Sequence, residues 1–334
     1  MSARHPTRRE AAAAAGLALA AAVAPHRRAT AQTPQAAWPA RPIRVIVPYA
    51  PGGTADTTAR ALGHAMTPRL GQPVVVENRS GATGAIGMEA AARAAPDGHT
   101  LVVAADAAIY QPYLRPSLPY HPLRDLAPVS VLVQQPIVVA AHPGLGVRTL
   151  AELVALARAR PGEVAYVTSG TASTHHLAAE LLCRRAGIRM THVPYRGGGQ
   201  AINDLVAGQV GLGVLGSGPV VPHARAGRLR LLAVTPAARS PGLPEVPTVA
   251  EQGFPGYDLP QWFGMLAPAG TPAEVVARVQ AEAAAALALP EVRRVLGDLA
   301  LDPVGGTPEA CRARIEAEAA VWAEAARALG TAEG

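Results

Sequence analysis

Lysine is missing altogether from the 334 residues, so the 30 basic side chains are all arginine. A base composition that favours Arg and Ala codons explains this, and no function is attached to it. Cysteine occurs twice, at Cys183 and Cys311. That spacing excludes a zinc knuckle and a redox C-x-x-C pair. An oxidising compartment permits a disulfide between them, but Cys183, beside Leu181 and Leu182, reads more simply as a small buried apolar residue. Charge is sparse, at 16% of residues, while 49% are apolar. Five arginines against Glu10 place +4 of the formal +6 in the first 31 residues, leaving +2 for the rest. A charge that small offers no basic face to nucleic acid. No later stretch approaches the ~20 apolar residues that a membrane-spanning helix needs.

The N-terminus has a recognisable pattern. Arg8-Arg9 precedes an alanine-rich run from Ala11 to Ala24, and Ala29-Thr30-Ala31 supplies a small-residue cleavage site. These parts predict a cleavable signal peptide over residues 1–31. The arginine pair leaves twin-arginine export open. The mature chain is expected to be soluble and periplasmic.

From Arg41 onward short β-branched runs alternate with helical segments. Ile43–Val47, Val74–Glu77, Thr100–Ala104, Val164–Thr168, Val210–Leu215 and Leu229–Val234 read as buried strands. Thr149 with Glu152 forms a capping box, and Thr271-Pro272 and Thr307-Pro308 open two further helices. This alternation predicts an α/β fold with parallel-rich sheets covered by helices. The length suits two domains. The β-rich stretch Val129–Ala141, broken at Pro136, and the Pro/Gly-rich Pro244–Pro260 read as crossings between them. Domain one is expected over 38–134 plus 259–334 and domain two over 135–258, with a hinge and a cleft.

Two similar strand-to-helix turns stand out, one in each expected domain. Pro48 to Asp56 carries Pro51, Gly52, Gly53 and Thr54, and Thr168 to His175 carries Ser169, Thr171, Ser173 and Thr174. Each sets glycine and hydroxyl residues where a helix start exposes unpaired N–H groups and the positive end of its dipole, a ready anion site. Thr54, Ser173 and Thr174 would also serve as plain N-caps. In a third turn, Arg196-Gly197-Gly198-Gly199, the glycines let backbone approach a ligand closely. Asp56 either answers its own helix dipole or braces the glycine loop.

Other chemistries fit poorly. Gly81, Gly84 and Gly87 are spaced G-x-x-G-x-x-G, which is not a dinucleotide fingerprint. There is no G-x-S-x-G, and a hydrolase built on Ser169 would require a base within hydrogen-bond reach. His175 and His176 are adjacent, so on a helix they diverge and cannot jointly hold a metal. No catalytic residue, cofactor or metal is expected.

These turns also carry a family resemblance. Pro48-Tyr49-Ala50-Pro51-Gly52-Gly53-Thr54-Ala55-Asp56 resembles the opening signature of the Bug proteins, the extracytoplasmic receptors of tripartite tricarboxylate transporters. Val76-Glu77-Asn78-Arg79-Ser80-Gly81, His175-His176-Leu177, Val193-Pro194-Tyr195-Arg196-Gly197-Gly198-Gly199, Val246-Pro247-Thr248 and Ala267-Pro268-Ala269-Gly270 continue that pattern in order. The resemblance implies a two-lobed fold like the type II periplasmic binding proteins. It also implies capture of a carboxylate by loop backbone, hydroxyls and water. Carried over by position, those roles fall on Pro51, Gly52, Gly53 and Asp56, then on Ser169, Thr171, Ser173, Thr174 and His175. The implied partners are the ligand and membrane transporter subunits, the chain itself being a monomer. A solute sensor acting on a signalling protein would use the same closed state.

Two positions depart from the family pattern, and one is Gly211, which stands where an aspartate is common. Where a small hydroxyl-bearing loop is usual, this chain has Ala104-Ala105-Asp106-Ala107. Asp106 either caps the following helix or enters the cleft, where it would disfavour a fully ionised ligand and favour one with an amino group. Trp262 is a further candidate for the cleft wall.

Overall fold

A computed structural model describes residues 38–115 and 117–328. The expected signal peptide lies outside the described residues. β1 (Ile43–Val47) leads through the first glycine turn into α1 (Thr54–Leu70), then β2 (Val74–Asn78), α2 (Ala85–Ala92), β3 (Thr100–Ala105) and α3 (Asp106–Leu114). The long β4 (Leu126–Gln135) meets β5 (Ile137–Ala141) across Pro136 alone. Next come α4 (Leu150–Ala159), β6 (Ala165–Thr168), α5 (Thr174–Ala186), β7 (Thr191–Pro194), α6 (Gly198–Val206), β8 (Leu212–Gly216), α7 (Ser217–Arg225) and β9 (Arg230–Val234). The chain ends with β10 (Gln261–Pro268), α8 (Ala273–Ala288), α9 (Pro290–Asp298), the short β11 (Asp302–Pro303) and α10 (Pro308–Ala328).

Two sheets result, ordered β11-β4-β10-β3-β1-β2 and β7-β6-β8-β5-β9. Among the described strands, β1 pairs in parallel with β2 and β3, and β6 with β7 and β8. These are the strands joined by helical crossovers, as the alternation predicts. The sheets are nonetheless mixed. β10 runs antiparallel to β3 and β4, and β5 runs antiparallel to β8 and β9. β4, β5 and β10 flank the two passages between sheets, and no helix turns the chain around there. Pro136 has no N–H to give a ladder, so neither sheet extends through it.

Alternation along β1 sorts its side chains. Ile43, Val45 and Val47 pack with Leu62 and Met66 of α1 and Val276 and Val279 of α8. Ile46 faces the other way, toward Met88, Tyr110, Trp262 and Ile315. α10 thus packs on the first sheet, where Glu318 accepts from Tyr110 Oη at 3.0 Å and Trp262 Nε1 at 2.9 Å. In the second lobe Leu150, Leu153 and Val154 from α4 pack on Val139 and Tyr166. Thr149 caps that helix, its hydroxyl accepting from Glu152 N at 3.1 Å. The cysteines are free thiols buried in separate cores, Cys183 in the second lobe and Cys311 in the first. No described helix is long and apolar enough to cross a membrane.

Candidate functional site

The first glycine turn is held from outside the cavity. Gly52 takes φ +83°, a conformation that glycine adopts without strain. Its N–H donates to Asp56 Oδ2 at 3.0 Å, while Asn78 Nδ2 and Arg60 Nε donate to Asp56 Oδ1, each at 3.0 Å. Burial alone would raise the Asp56 pKa, but these hydrogen bonds outweigh it and hold the carboxyl below its usual range. Asp56 therefore braces the loop, and its carboxylate is fully occupied by protein donors.

The second turn is tied more tightly. Ser173 caps α5, accepting from His176 N at 3.2 Å and donating to Gly170 O at 2.7 Å. Ser169 Oγ lies 2.7 Å from His175 Nδ1, and His175 Nε2 lies 3.0 Å from Gln261 Oε1. His175 is buried, which lowers its pKa to about 4 and keeps the ring neutral. Thr83 and Ala172, both non-glycine residues with positive φ, flank a contact between lobes. There Thr83 Oγ1 donates to Thr171 O at 3.0 Å.

The third turn closes on the first. A Cβ at Gly199 would sit 2.1 Å from Pro51 O, so only glycine permits this approach. Ala50 N donates to Arg196 O at 3.5 Å in the same contact.

Between the lobes these turns line a narrow cavity of about 40 Å³ that opens to solvent. Five helix starts line it: Gly53, Thr54 and Ala55 of α1, Ala105 and Ala107 of α3, Ser173 and His175 of α5, Gly198 of α6, and Gly216 with Pro219 of α7. Tyr49, Thr83, Gln135, Ser169, Gln261 and Phe263 complete the wall. No described lining residue carries a fixed charge. The Tyr49 hydroxyl faces Ala105 and Ala108 N–H without closing a hydrogen bond of ordinary geometry.

Of the residues named from sequence, Gly53, Thr54, Ser169, Ser173, His175 and Gly198 line this cavity. Pro51, Gly52, Asp56, Thr171, Thr174 and Gly199 do not; Asp56 and Thr174 are buried beside it, while Pro51, Gly52 and Thr171 are exposed. Asp106 also lies behind the wall. Its Oδ1 accepts from Ala107 N and Thr174 Oγ1, both at 2.6 Å, and its Oδ2 accepts from Trp262 N at 3.4 Å. It thus takes an N–H in the first turn of α3, whose N-cap position is Ala105, and ties α3 to α5 of the other lobe. Burial raises its pKa to about 7. Trp262 is fully buried in the core, and its neighbour Phe263 takes the cavity side, because strand side chains alternate faces.

Gln135 and Gln261 were not anticipated. They occupy the ends of β4 and β10, where the chain passes between sheets. The break at Gln134-Gln135-Pro136 was the available signal. No group of three or more metal-ligating side chains occurs among the described residues.

The family model described as "Tripartite tricarboxylate transporter family receptor" matches residues 58–330. The chain belongs to this family. It is 39% identical to Protein BugT of Bordetella pertussis over 295 residues, covering 88% of this chain and 90% of that one. R. palustris Rpa4515 with adipate superposes at TM-score 0.85 and 35% identity, covering 88% of this chain and 99% of the other. MatC (Rpa3494) from Rhodopseudomonas palustris with bound malate gives 0.81 and 32%, covering 86% and 99%. The fold is accordingly the two-lobed fold of periplasmic binding proteins, each sheet with its helices forming one lobe.

Proposed function

We propose that this chain is an exported, periplasmic receptor that encloses a small organic carboxylate between its lobes and delivers it to membrane transporter subunits. The observation that carries the reading is the convergence of five helix starts on one cavity without a fixed charge. The first N–H groups of a helix have no partner within it, and its dipole places partial positive charge there. An anion in such a cavity is held by backbone, with no buried arginine to desolvate. The adipate and malate present in the two R. palustris proteins are carboxylates of this kind. Residues 38–134 with 259–334 and residues 135–258 serve as the two moving bodies, and the passages at Pro136 and before Gln261 as the hinge. The receptor acts as a monomer without cofactor or metal.

A hydrolase reading has one observation in its favour, the 2.7 Å approach of Ser169 Oγ to His175 Nδ1. The imidazole is a poor base at a pKa of about 4, and its far nitrogen meets an amide where a triad has a carboxylate. We therefore assign the pair to ligand recognition. Thermal-shift and calorimetric titration against mono- and dicarboxylates tests the receptor reading, with an ester-hydrolysis assay alongside. Silence across the acids, with turnover abolished in Ser169→Ala, would replace it with the enzyme.

A further inference from the structure

A second cavity, of about 440 Å³, opens where the chain passes between the sheets. Pro136 and Pro260, one on each passage, form part of its wall. β4 and β11 supply Gln134 and Asp302 from the first lobe, and the loop after β9 supplies residues 238–241 from the second. Among the described residues it shares only Gln135 with the interlobe cavity. Its volume lies in the range of small-molecule sites.

Three polar side chains of this wall lack protein partners. Asp302 stands opposite Gln134 in the ladder of β11 with β4, so the two side chains leave the same face of the sheet. Neither makes a hydrogen bond or an ion pair among the described residues. Burial raises the Asp302 pKa, and no neighbouring cation pulls it back. On the facing loop Ser240 is buried with its hydroxyl oxygen unpartnered. Arg239 shares the wall but is already engaged, its Nε meeting Glu251 Oε2 at 2.9 Å and its Nη1 donating to Pro244 O at 3.0 Å. Asp302 is thus a half-buried carboxylate without a counter-ion, an arrangement that costs free energy until a cation answers it.

We infer that this hinge cavity is a second binding site, taking a small organic cation whose ammonium or guanidinium group meets the Asp302 carboxylate. The Gln134 amide oxygen accepts from a remaining N–H of that group, and the prolines face its carbon chain.

The occupant also acts on the cleft. Asp302 and the 238–241 loop belong to different lobes, and the chain leaving that loop reaches the first lobe beside the cavity. A Cβ at Gly242 would lie 2.8 Å from Ala300 Cβ. Rotation about Pro136 and Pro260 separates these walls and reshapes the cavity. A cation that fits the cavity as it stands, with the lobes together, favours that state, and the effect is reciprocal. Resting on the receptor reading above, the cation and the carboxylate then tighten each other's binding.

Calorimetry on the mature chain with agmatine and putrescine, against neutral 1,4-butanediol, tests the site with no acid present. An amine is expected to bind where the diol does not, and Asp302→Asn is expected to weaken it by about tenfold or more, the effect of losing a hydrogen bond to a charged group. The Asp302 side chain holds no protein group, so the variant should melt at or above the wild-type temperature; Gln134→Ala supplies a second wall variant if it does not. No binding by either amine, or binding that both variants leave unchanged, overturns the site. A carboxylate that binds is then titrated with and without saturating amine. A severalfold gain in its affinity is expected, and an unchanged affinity overturns the coupling. If no acid binds, the receptor reading and the coupling fall together, while the amine titration still decides the site.

Discussion

The Thr174 hydroxyl donates to the Asp106 carboxylate across 2.6 Å, joining the two lobes at a point where neither side chain meets solvent. Thr174 opens α5 of the second lobe and Asp106 opens α3 of the first. Both helix starts line the cavity, so the bond closes the wall from behind. It forms only when the lobes are together. Asp106 is thereby a latch, and its charge is answered by protein donors in place of ligand.

The first prediction follows from removing one side of that latch. Thr174→Val keeps the shape but deprives Asp106 of a donor and Gln261 of an acceptor. Hydrogen bonds to charged groups contribute about 1.5–3 kcal/mol. Carboxylate affinity measured by calorimetry should fall by roughly 10- to 100-fold at that magnitude. Unchanged affinity would show that closure does not depend on the latch.

Burial raises the folded pKa of Asp106 from 3.8 to about 7. Between those values the folded state keeps a proton that the unfolded chain has released. This group's contribution to stability therefore falls as pH rises from about 4 to about 7. Asp106→Asn removes the titration. The stability of the variant relative to wild type should improve from pH 5 to pH 8, by a few kcal/mol at about 1.4 kcal/mol per pKa unit. Denaturant titrations at both pH values check it, and a difference independent of pH would rule it out.

The second lobe titrates in the opposite sense. His176 and His192 stack with centroids 3.9 Å apart, and His192 Nε2 lies 2.7 Å from Thr168 Oγ1 beneath the second turn. Tyr166 stacks on His192, and Glu180, which accepts from Tyr166 Oη at 2.6 Å, stands 3.8 Å from His176 Nε2. Burial, then the neighbouring His176, lowers the His192 pKa from 6.5 to about 4. The unfolded chain binds the proton first, so stability is lost as pH falls from about 6.5 toward 4. His192→Gln should flatten that acid limb in thermal melts between pH 7 and 4. A limb as steep as the wild type's would assign the acid loss to other groups.

Much of this was legible in the sequence, for identifiable reasons. Strand alternation and helix caps such as Thr149 are local, and so are the glycine turns that bring Gly53, Ser173 and Gly198 to the cavity. Gln135 and Gln261 were not, because 126 residues separate them and only the meeting of β4 with β10 brings their amides together. Trp262 and Phe263 exchange places through a one-residue phase that no pattern marks at a sheet crossing. Asp106 was ambiguous between helix cap and cleft because its partner, Thr174, belongs to the other lobe.

The contact between glycine turns yields the most direct test of closure. Gly199 lies in the first turn of α6, and its absence from the positive-φ residues means that alanine suits its backbone. In an open receptor Gly199→Ala should be neutral or slightly stabilising, since alanine exceeds glycine in helix propensity by up to about 1 kcal/mol. In the closed form the new Cβ would lie 2.1 Å from Pro51 O, a backbone atom that cannot swing aside. The lobes must then stand further apart, and the interlobe bonds of Thr83 and Thr174 lengthen together. Carboxylate affinity should drop by at least about tenfold, the cost of one such lost bond, while the ligand-free melting temperature stays level or rises. Small-angle scattering should show that saturating ligand contracts the wild type and leaves Gly199→Ala extended. Full contraction of the variant at undiminished affinity would mean that the two turns do not meet in the liganded state.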